Sequence, residues 1–317
     1  MAVQTVTVVE SVGGSALGTV VRQATGLPWS AVRKLCERGK ITVDGVKVTD
    51  AGERVCVGAS VQIDPDARGT GRSSVTLDRS RLVYLDPHVA VVDKPPGINT
   101  VPYEPGERGT LVDLLGVSLH RWGLAPATAP LFVVHRLDRE TSGLLVFGRT
   151  WTAKRHLADL FRRHDLQREY LALAHGSFSS ARTITSEIAQ DRGDGLRGTP
   201  RGSRTGGGLR AITHVRPMAF LPREGGVTLV GCTLETGRQH QIRIHLSESG
   251  HPVLGERVYL REFRYPLVPA PRMMLHARVL GFAHPAREGE VLRFEVPLPE
   301  DVITVAKRLG WTGSLEA

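Results

Sequence analysis

"LFVVHRLDRETSGLLVFGRT", residues 131–150, sets two apolar runs, 131–134 and 144–147, on either side of a polar loop. Short apolar runs bounded by polar sequence read as buried strands. The loop between them carries Asp138, flanked by Arg136 and Arg139. Asp138 is either a solvated loop carboxylate or one held in place to do chemistry. The first reading is the usual one, because a surface ion pair between neighbours contributes little.

Working outward, further strand-like runs alternate with loops: "RLVYLD", "VAVVDKPPG", "YLALAHG", "VTLVGCTLET" and "VLRFEVPL". The clearest helix is "WTAKRHLADLFRRHD", with Ala153, Leu157, Leu160 and Phe161 on one face and Lys154, Arg155, Arg162 and Arg163 largely opposite. The pattern is α+β and strand-rich, without regular βαβ repetition. "QHQIRIHL", residues 239–246, is expected to be another strand. Gln239, Gln241, Arg243 and His245 would then face one way, and Ile242, Ile244 and Leu246 the other, with His240 among them. A polar face of this kind fits a strand lining a cleft and equally an ordinary exposed sheet face.

The first part of the chain has a different texture. Leu17, Val20, Val21 and Ala24 have amphipathic helical spacing, and Gly26 can end that helix. A second short helix follows Pro28, with Val32, Leu35 and Cys36 on one face and Gly39 after its end. "KITVDGVKVTD" reads as a hairpin, since Asp44-Gly45 supplies the positive φ of a tight turn. Arg33, Lys34, Arg38 and Lys40 cluster on or just after the second helix. They form either a solvated face or a patch that contacts phosphates. "DPDARGTGRSSV", residues 64–75, reads as a linker. Residues 191–210 hold five arginines among glycines and are expected to be a mobile loop. That loop is either a tolerated insertion or a basic arm that orders on RNA.

Lys and Arg number 41 against 32 Asp and Glu, a net charge of +9 that favours a polyanionic partner. Only Lys34, Lys40, Lys47, Lys94, Lys154 and Lys307 are lysines, so arginine dominates, as suits bidentate phosphate contacts and base stacking. Cys36, Cys56 and Cys232 are odd in number and far apart, which argues against a zinc site or a disulfide scaffold. The N-terminus lacks the charged and apolar regions of a signal peptide, and no apolar run approaches the ~20 residues of a membrane span. The simplest expectation is a soluble, cytoplasmic protein with no membrane partner, and a monomer.

Several chemistries lose support. "HRLD" superficially matches a kinase loop, but there is no Gly-rich phosphate loop and no DFG. GxSxG, HExxH and dinucleotide fingerprints are absent. His240 and His245 would sit on opposite faces of a strand, so they make poor joint metal ligands. The expectation is a reaction that needs side chains only, with no metal and no cofactor.

Two resemblances organise what remains. Helix, helix, "GKITVDGVKV" and "GASVQI", in that order, resemble the S4-type RNA-binding domain. The blocks "KPPGINTVP", "HRLDRETSGLLVF", "LQREYLAL", "LETGRQHQIRIHL", "GHPVLGERVY" and "MMLHARVLGFAHP" resemble, in sequence, the RluA family of pseudouridine synthases over about residues 80–300. Arg168 stands where the family often has Lys, and "GERVY" where "GDxxY" is common. The resemblance implies a pseudouridine synthase fold, a mainly antiparallel mixed sheet flanked by helices and loops, with a small S4-like α/β module in front. The expected boundaries are 8–63 for the S4-like domain, 64–76 for the linker and 77–310 for the catalytic domain.

It also implies a reaction. The N1–C1′ bond of a uridine breaks, the base turns, and it rejoins through C5. By resemblance Asp138 is the essential carboxylate, as nucleophile or base. Arg243 pairs with it, since a neighbouring cation favours a charged carboxylate. Tyr170 stacks on the base, as aromatic side chains commonly do with unstacked RNA bases. Arg136 fills the space left by the flipped nucleotide. Arg238, His240 and Gln241 join the candidate substrate contacts, with Arg33, Lys34 and Arg38 on the small module. The partner is RNA, ribosomal RNA of the large subunit ahead of tRNA. A non-catalytic RNA-binding or ribosome-assembly factor on the same fold is the competing reading.

Overall fold

The structure is a computed structural model, and it describes residues 3–9, 15–48, 50–66, 76–104, 107–200, 207–260 and 262–313. The chain divides into two compact units, 1–75 and 76–317.

In the first unit β1 (Gln4–Thr7) precedes α1 (Leu17–Thr25) and α2 (Trp29–Glu37), followed by β2 (Ile41–Val43), β3 (Val46–Lys47) and β4 (Ser60–Ile63). The strands pair in the order β1-β4-β2-β3. Gly26 ends α1 in the left-handed conformation, φ 70°. Asp44 and Gly45 both take positive φ, 50° and 78°, as the two-residue hairpin between β2 and β3 requires. Leu17, Val20 and Val21 of α1 and Val32 and Cys36 of α2 are buried with Ile41, Val61 and Ile63. A core this small leaves most of α2 facing outward.

The second unit contains β5 (Leu82–Leu85), β6 (Val89–Lys94), α3 (Leu111–Arg121), β7 (Phe132–Val133), β8 (Ser142–Gly148), α4 (Trp151–Arg163), β9 (Gln167–His175), β10 (Arg182–Ile188), β11 (Leu209–Leu221), β12 (Val227–Leu234), α5 (Gln241–Glu248), β13 (Leu275–Ala283), β14 (Val291–Glu295) and α6 (Glu300–Arg308). Among the described residues these strands form a ten-stranded sheet in the order β10-β11-β12-β9-β13-β8-β6-β5, with β14 on β13 and β7 on β8. The β8–β13 pair is parallel and the other strand pairs of this sheet are antiparallel.

Alternation along β6 and β8 shows why those stretches are apolar throughout. Ala90, Val92, Leu145 and Phe147 pack with Leu111, Leu115 and Leu119 of α3. Val89, Val91, Leu144 and Val146 pack with Leu157 and Leu160 of α4. Strands covered on both faces lose the polar half of the alternation.

Three sequence expectations change. Residues 241–248 are a helix, not a strand. All of 241–246 are buried, so the helix has no solvent face to reveal a 3.6-residue period. Ile242 and Leu246 enter one core and Ile244 another, and this produced a false two-residue alternation. Two helices went unassigned. α3 opens with a capping box of Thr110 and Asp113, and α6 starts after Pro299 with Glu300 and Asp301 in its first turn. Finally, residues 191–200 form a built loop rather than a loose arm. Asp191 accepts from the Gly193 and Gly195 amides, Ala189 bridges Gly198, and Arg192 is buried between Asp194 and Glu248. Residues 201–206 of that stretch, and 67–75 of the expected linker, lie outside the described residues.

Candidate active site

Asp138 lies in the turn between β7 and β8, and the turn is clamped from several sides. Thr100 Oγ1 donates to the Leu137 carbonyl and accepts from the Leu137 amide, both at 3.2 Å. The Gly97 amide donates to the Arg139 carbonyl at 2.9 Å, and Arg139 Nε returns a bond to the Gly97 carbonyl at 3.0 Å. Lys94, wholly buried at the end of β6, donates to the carbonyls of Pro95, Ile98 and Arg139. Burial lowers its pKa to about 7, against the pull of Glu140 and Asp138. The Thr141 amide closes the turn onto the Asp138 carbonyl at 3.1 Å. Beyond it Gly143, at φ 113°, sits where a Cβ would run into the Ala277 carbonyl of β13.

Arg243 reaches this carboxylate from the first turn of α5. Its Nη1 donates to Asp138 Oδ2 at 3.1 Å. Its Nε and Nη2 donate to Glu256 at 2.7 and 2.9 Å. Burial works against the Arg243 charge, but Glu256 and Asp138 outweigh it, and its pKa is raised. Burial likewise opposes the Glu256 charge. Arg243 and the backbone amides of Val258 and Arg257 overcome it and hold Glu256 below its ordinary value. Glu256 is thus the side chain that keeps Arg243 aimed.

Asp138 Oδ1 faces His240 Nε2 at 3.6 Å, beyond hydrogen-bond reach. His240 starts α5 with φ 60°, and its Nδ1 lies 2.6 Å from the Tyr259 hydroxyl. Burial lowers the His240 pKa although Asp138 pulls it up. Tyr170, on β9, lines the same cavity as Asp138 and Arg243, which has a volume of about 530 Å³. Burial raises the Tyr170 pKa, with Arg168 working against it and Asp138 adding to it, so the phenol is protonated. His135 also lines the cavity. Its Nε2 accepts from the Val146 amide at 3.0 Å, and its ring stacks on Phe161 with centroids 4.3 Å apart. Burial, then Arg168, lowers its pKa to about 3, so the ring is neutral.

The other expected residues fall into three groups. Arg136 is exposed and lines both this cavity and a small cleft beside Tyr103. Arg238 lines the cavity with its Nε on the Arg210 carbonyl at 3.0 Å. Gln241 touches the cavity wall, yet its amide is fully engaged. Oε1 accepts from Thr236 Oγ1 and the Arg238 amide, and Nε2 donates to Ile212 O and Thr213 Oγ1. It ties α5 to β11. Arg33, Lys34 and Arg38 belong to the first unit, on α2 and its C-terminal cap. Arg33 pairs with Glu37 at 3.1 Å, while Lys34 and Arg38 are exposed. Sequence reasoning missed Glu256, Lys94 and Thr100. The glutamate lay in plain view in "GERVY", but nothing local tied it to Arg243 thirteen residues before it.

A family model described as RNA pseudouridylate synthase matches residues 88–248, just over half of the chain. The chain belongs to the RNA pseudouridylate synthase family. An S4 domain model matches residues 19–61 of the same synthase. Its curated relatives include the ribosomal large subunit pseudouridine synthase D of Pseudomonas aeruginosa, 33% identical over 84% of this chain and 82% of that one. The synthase D of Xylella fastidiosa is 35% identical over 76% of this chain and 72% of that one. An uncharacterized RNA pseudouridine synthase of Bacillus subtilis, YlyB, is 34% identical over 90% and 91%. Among solved structures, human RNA pseudouridylate synthase domain containing 4 superimposes with a TM-score of 0.57 at 25% identity, covering 73% of this chain and 93% of that one. The RluA-type resemblance and the fold expected from it therefore hold, and this synthase is an RNA-directed isomerase.

Proposed function

We propose that the enzyme makes pseudouridine in large-subunit ribosomal RNA, with Asp138 as the essential carboxylate. The observation that carries this is the unequal treatment of the two Asp138 oxygens. Oδ2 is fixed by Arg243 at 3.1 Å, while Oδ1 lies 3.6 Å from the His240 imidazole, beyond hydrogen-bond reach. One oxygen orients the group and the other is left for the ribose or the base. Electrostatic preorganisation of this sort costs nothing at the moment of reaction.

Tyr170 gives the detached uracil a flat surface to turn against. The bond N1–C1′ breaks, C5–C1′ forms, and the C5 proton is lost while N1 gains one, so the sum is an isomerisation. The exposed Arg136, at the mouth of the cavity, suits the gap left by a flipped nucleotide. Flipping itself costs a few kcal/mol, which extended backbone contacts must offset. Arg238 and His240 line the path of the substrate, and Gln241 holds the wall rather than the RNA. The module over 8–63, with Arg33, Lys34 and Arg38, brings RNA to the catalytic part over 77–310, with 64–76 between them. A monomer in the cytoplasm fits three free thiols and needs no partner for the site.

The ribosomal preference rests on the relatives named as large-subunit synthases and on the S4 match. Pseudouridine mapping of total RNA from a deletion strain tests it. A large-subunit site should disappear, return with the wild-type gene and stay absent with Asp138→Asn. Loss confined to tRNA would overturn the ribosomal assignment. Wild-type levels restored by Asp138→Asn would overturn the site and favour a binding role for the fold.

A further inference from the structure

The cavity holds a buried charged group that the reaction above does not use. Arg168, on β9 two residues before Tyr170, is 6% exposed and lines the cavity. Among the described residues its Nη2 makes a single long bond to the Glu235 carbonyl at 3.3 Å, and its Nε has no partner. Its guanidinium lies 5.9 Å from the Phe161 ring centroid. Among the described residues no carboxylate pairs with it. Buried arginines are ordinarily paired, because an uncompensated buried charge costs several kcal/mol.

Its surroundings are built for an anion. Gly237 makes room, since a Cβ there would collide with Arg168 Nη1. Arg238 lines the same wall. His164 is placed there by a left-handed backbone at the end of α4, φ 59°, and its Nδ1 is buried without a partner. Burial, then Arg168 and Arg238, lower the His164 pKa, so it offers a neutral imidazole. Asp138, the one carboxylate lining the cavity among the described residues, is already taken by Arg243.

We infer that Arg168, Arg238 and His164 form a phosphate seat that grips the RNA backbone beside the target uridine. Arg168 and Tyr170 are two strand positions apart, about 6.6 Å along β9. That spacing is comparable with the step from base to phosphate within a nucleotide. Arrival of a phosphodiester would give the Arg168 Nε an acceptor and the buried guanidinium a counter-charge. The inference rests on the cavity being the uridine site.

The test uses the full chain and transcribed large-subunit ribosomal RNA. Affinity is measured across a salt series for Asp138→Asn, alone and combined with Arg168→Gln or Arg168→Lys. Losing one phosphate contact should flatten the salt slope by about 0.7 to 0.9. It should also weaken binding about tenfold or more. Arg168→Lys should recover most of the slope. With Asp138 intact, Arg168→Gln should raise KM more than it lowers kcat. Arg168→Met repeats the charge removal in an apolar form suited to the buried slot, should the glutamine variant misfold. Unchanged affinity and slope in these variants, with only kcat or the melting temperature reduced, would overturn the seat and leave Arg168 as a structural tie. Absence of pseudouridine from every RNA treated with wild-type enzyme would instead overturn the uridine reading on which the seat depends.

Discussion

Glu256 takes two guanidinium nitrogens of Arg243, Nε at 2.7 Å and Nη2 at 2.9 Å, and leaves Nη1 for Asp138 at 3.1 Å. The division matters because both Glu256 and Arg243 are buried. Breaking a buried pair by removing one partner typically costs about 3–5 kcal/mol. Glu256→Gln should therefore lower stability by that order in denaturant titration. It should also cut turnover, because Arg243 is released to turn wholly onto Asp138. The pH dependence follows from the lowered Glu256 pKa, whose ordinary value is 4.5. The unfolded chain takes up this proton first as pH falls. The stabilisation is thus complete above about 4.5 and is lost as pH drops through the lower folded-state value. Melting temperatures between neutral and strongly acid pH should show a shallower acid limb in Glu256→Gln than in wild type. A parallel pair of curves would refute that assignment. At this scale the sequence showed Asp138, Tyr170 and Arg243 through their motifs. It did not show Glu256, because a carboxylate's partner is a fact of distance rather than of spacing along the chain.

The β7–β8 turn is held by elements on both sides, and each grip has a separable consequence. Thr100→Val removes two hydrogen bonds to Leu137 while nearly conserving shape, and should cost about 1–3 kcal/mol because the buried Leu137 groups lose their partner. The loosened turn should lower kcat more than it raises KM, which steady-state kinetics on ribosomal RNA would read. Gly143→Ala acts on the parallel β8–β13 pair. Positive φ and the approach of Ala277 both oppose a side chain there, so a loss of at least about 2 kcal/mol is expected. Gly207→Ala, where a Cβ meets nothing within 4 Å, is the control and should stay within about 0.5 kcal/mol. Most strands were legible as short apolar runs, and α4 by its one-sided pattern. The α5 helix was not, because a segment buried on every side carries no face to read. Its polar members Gln241 and His245 are inside because Thr213 and the backbone of β11 satisfy them.

For the whole molecule, the excess of arginine divides between the two units. The first unit carries Arg33, Lys34 and Arg38 on and after α2, and among the described residues the second gathers five arginines around Asp138 in the candidate cavity. Replacing Arg33, Lys34 and Arg38 together by Gln should weaken RNA binding and lower the salt slope by about 0.7–0.9 per lost phosphate contact. Turnover at saturating RNA should persist. A collapse of turnover at saturation would mean the small module does more than deliver substrate. The sequence by itself determined the two-part plan, the strand-rich α+β class and the family, and it singled out Asp138 as the candidate carboxylate, because these reside in apolar periodicity, turn chemistry and ordered motifs. The tertiary structure alone decided that Arg243 is divided between Asp138 and Glu256, that Lys94 and Thr100 clamp the turn, and that Arg168 stands buried with no carboxylate paired to it among the described residues. Each of these depends on groups far apart in the chain becoming neighbours where water is excluded. Charge and hydrogen bonding acquire their strength only in that setting.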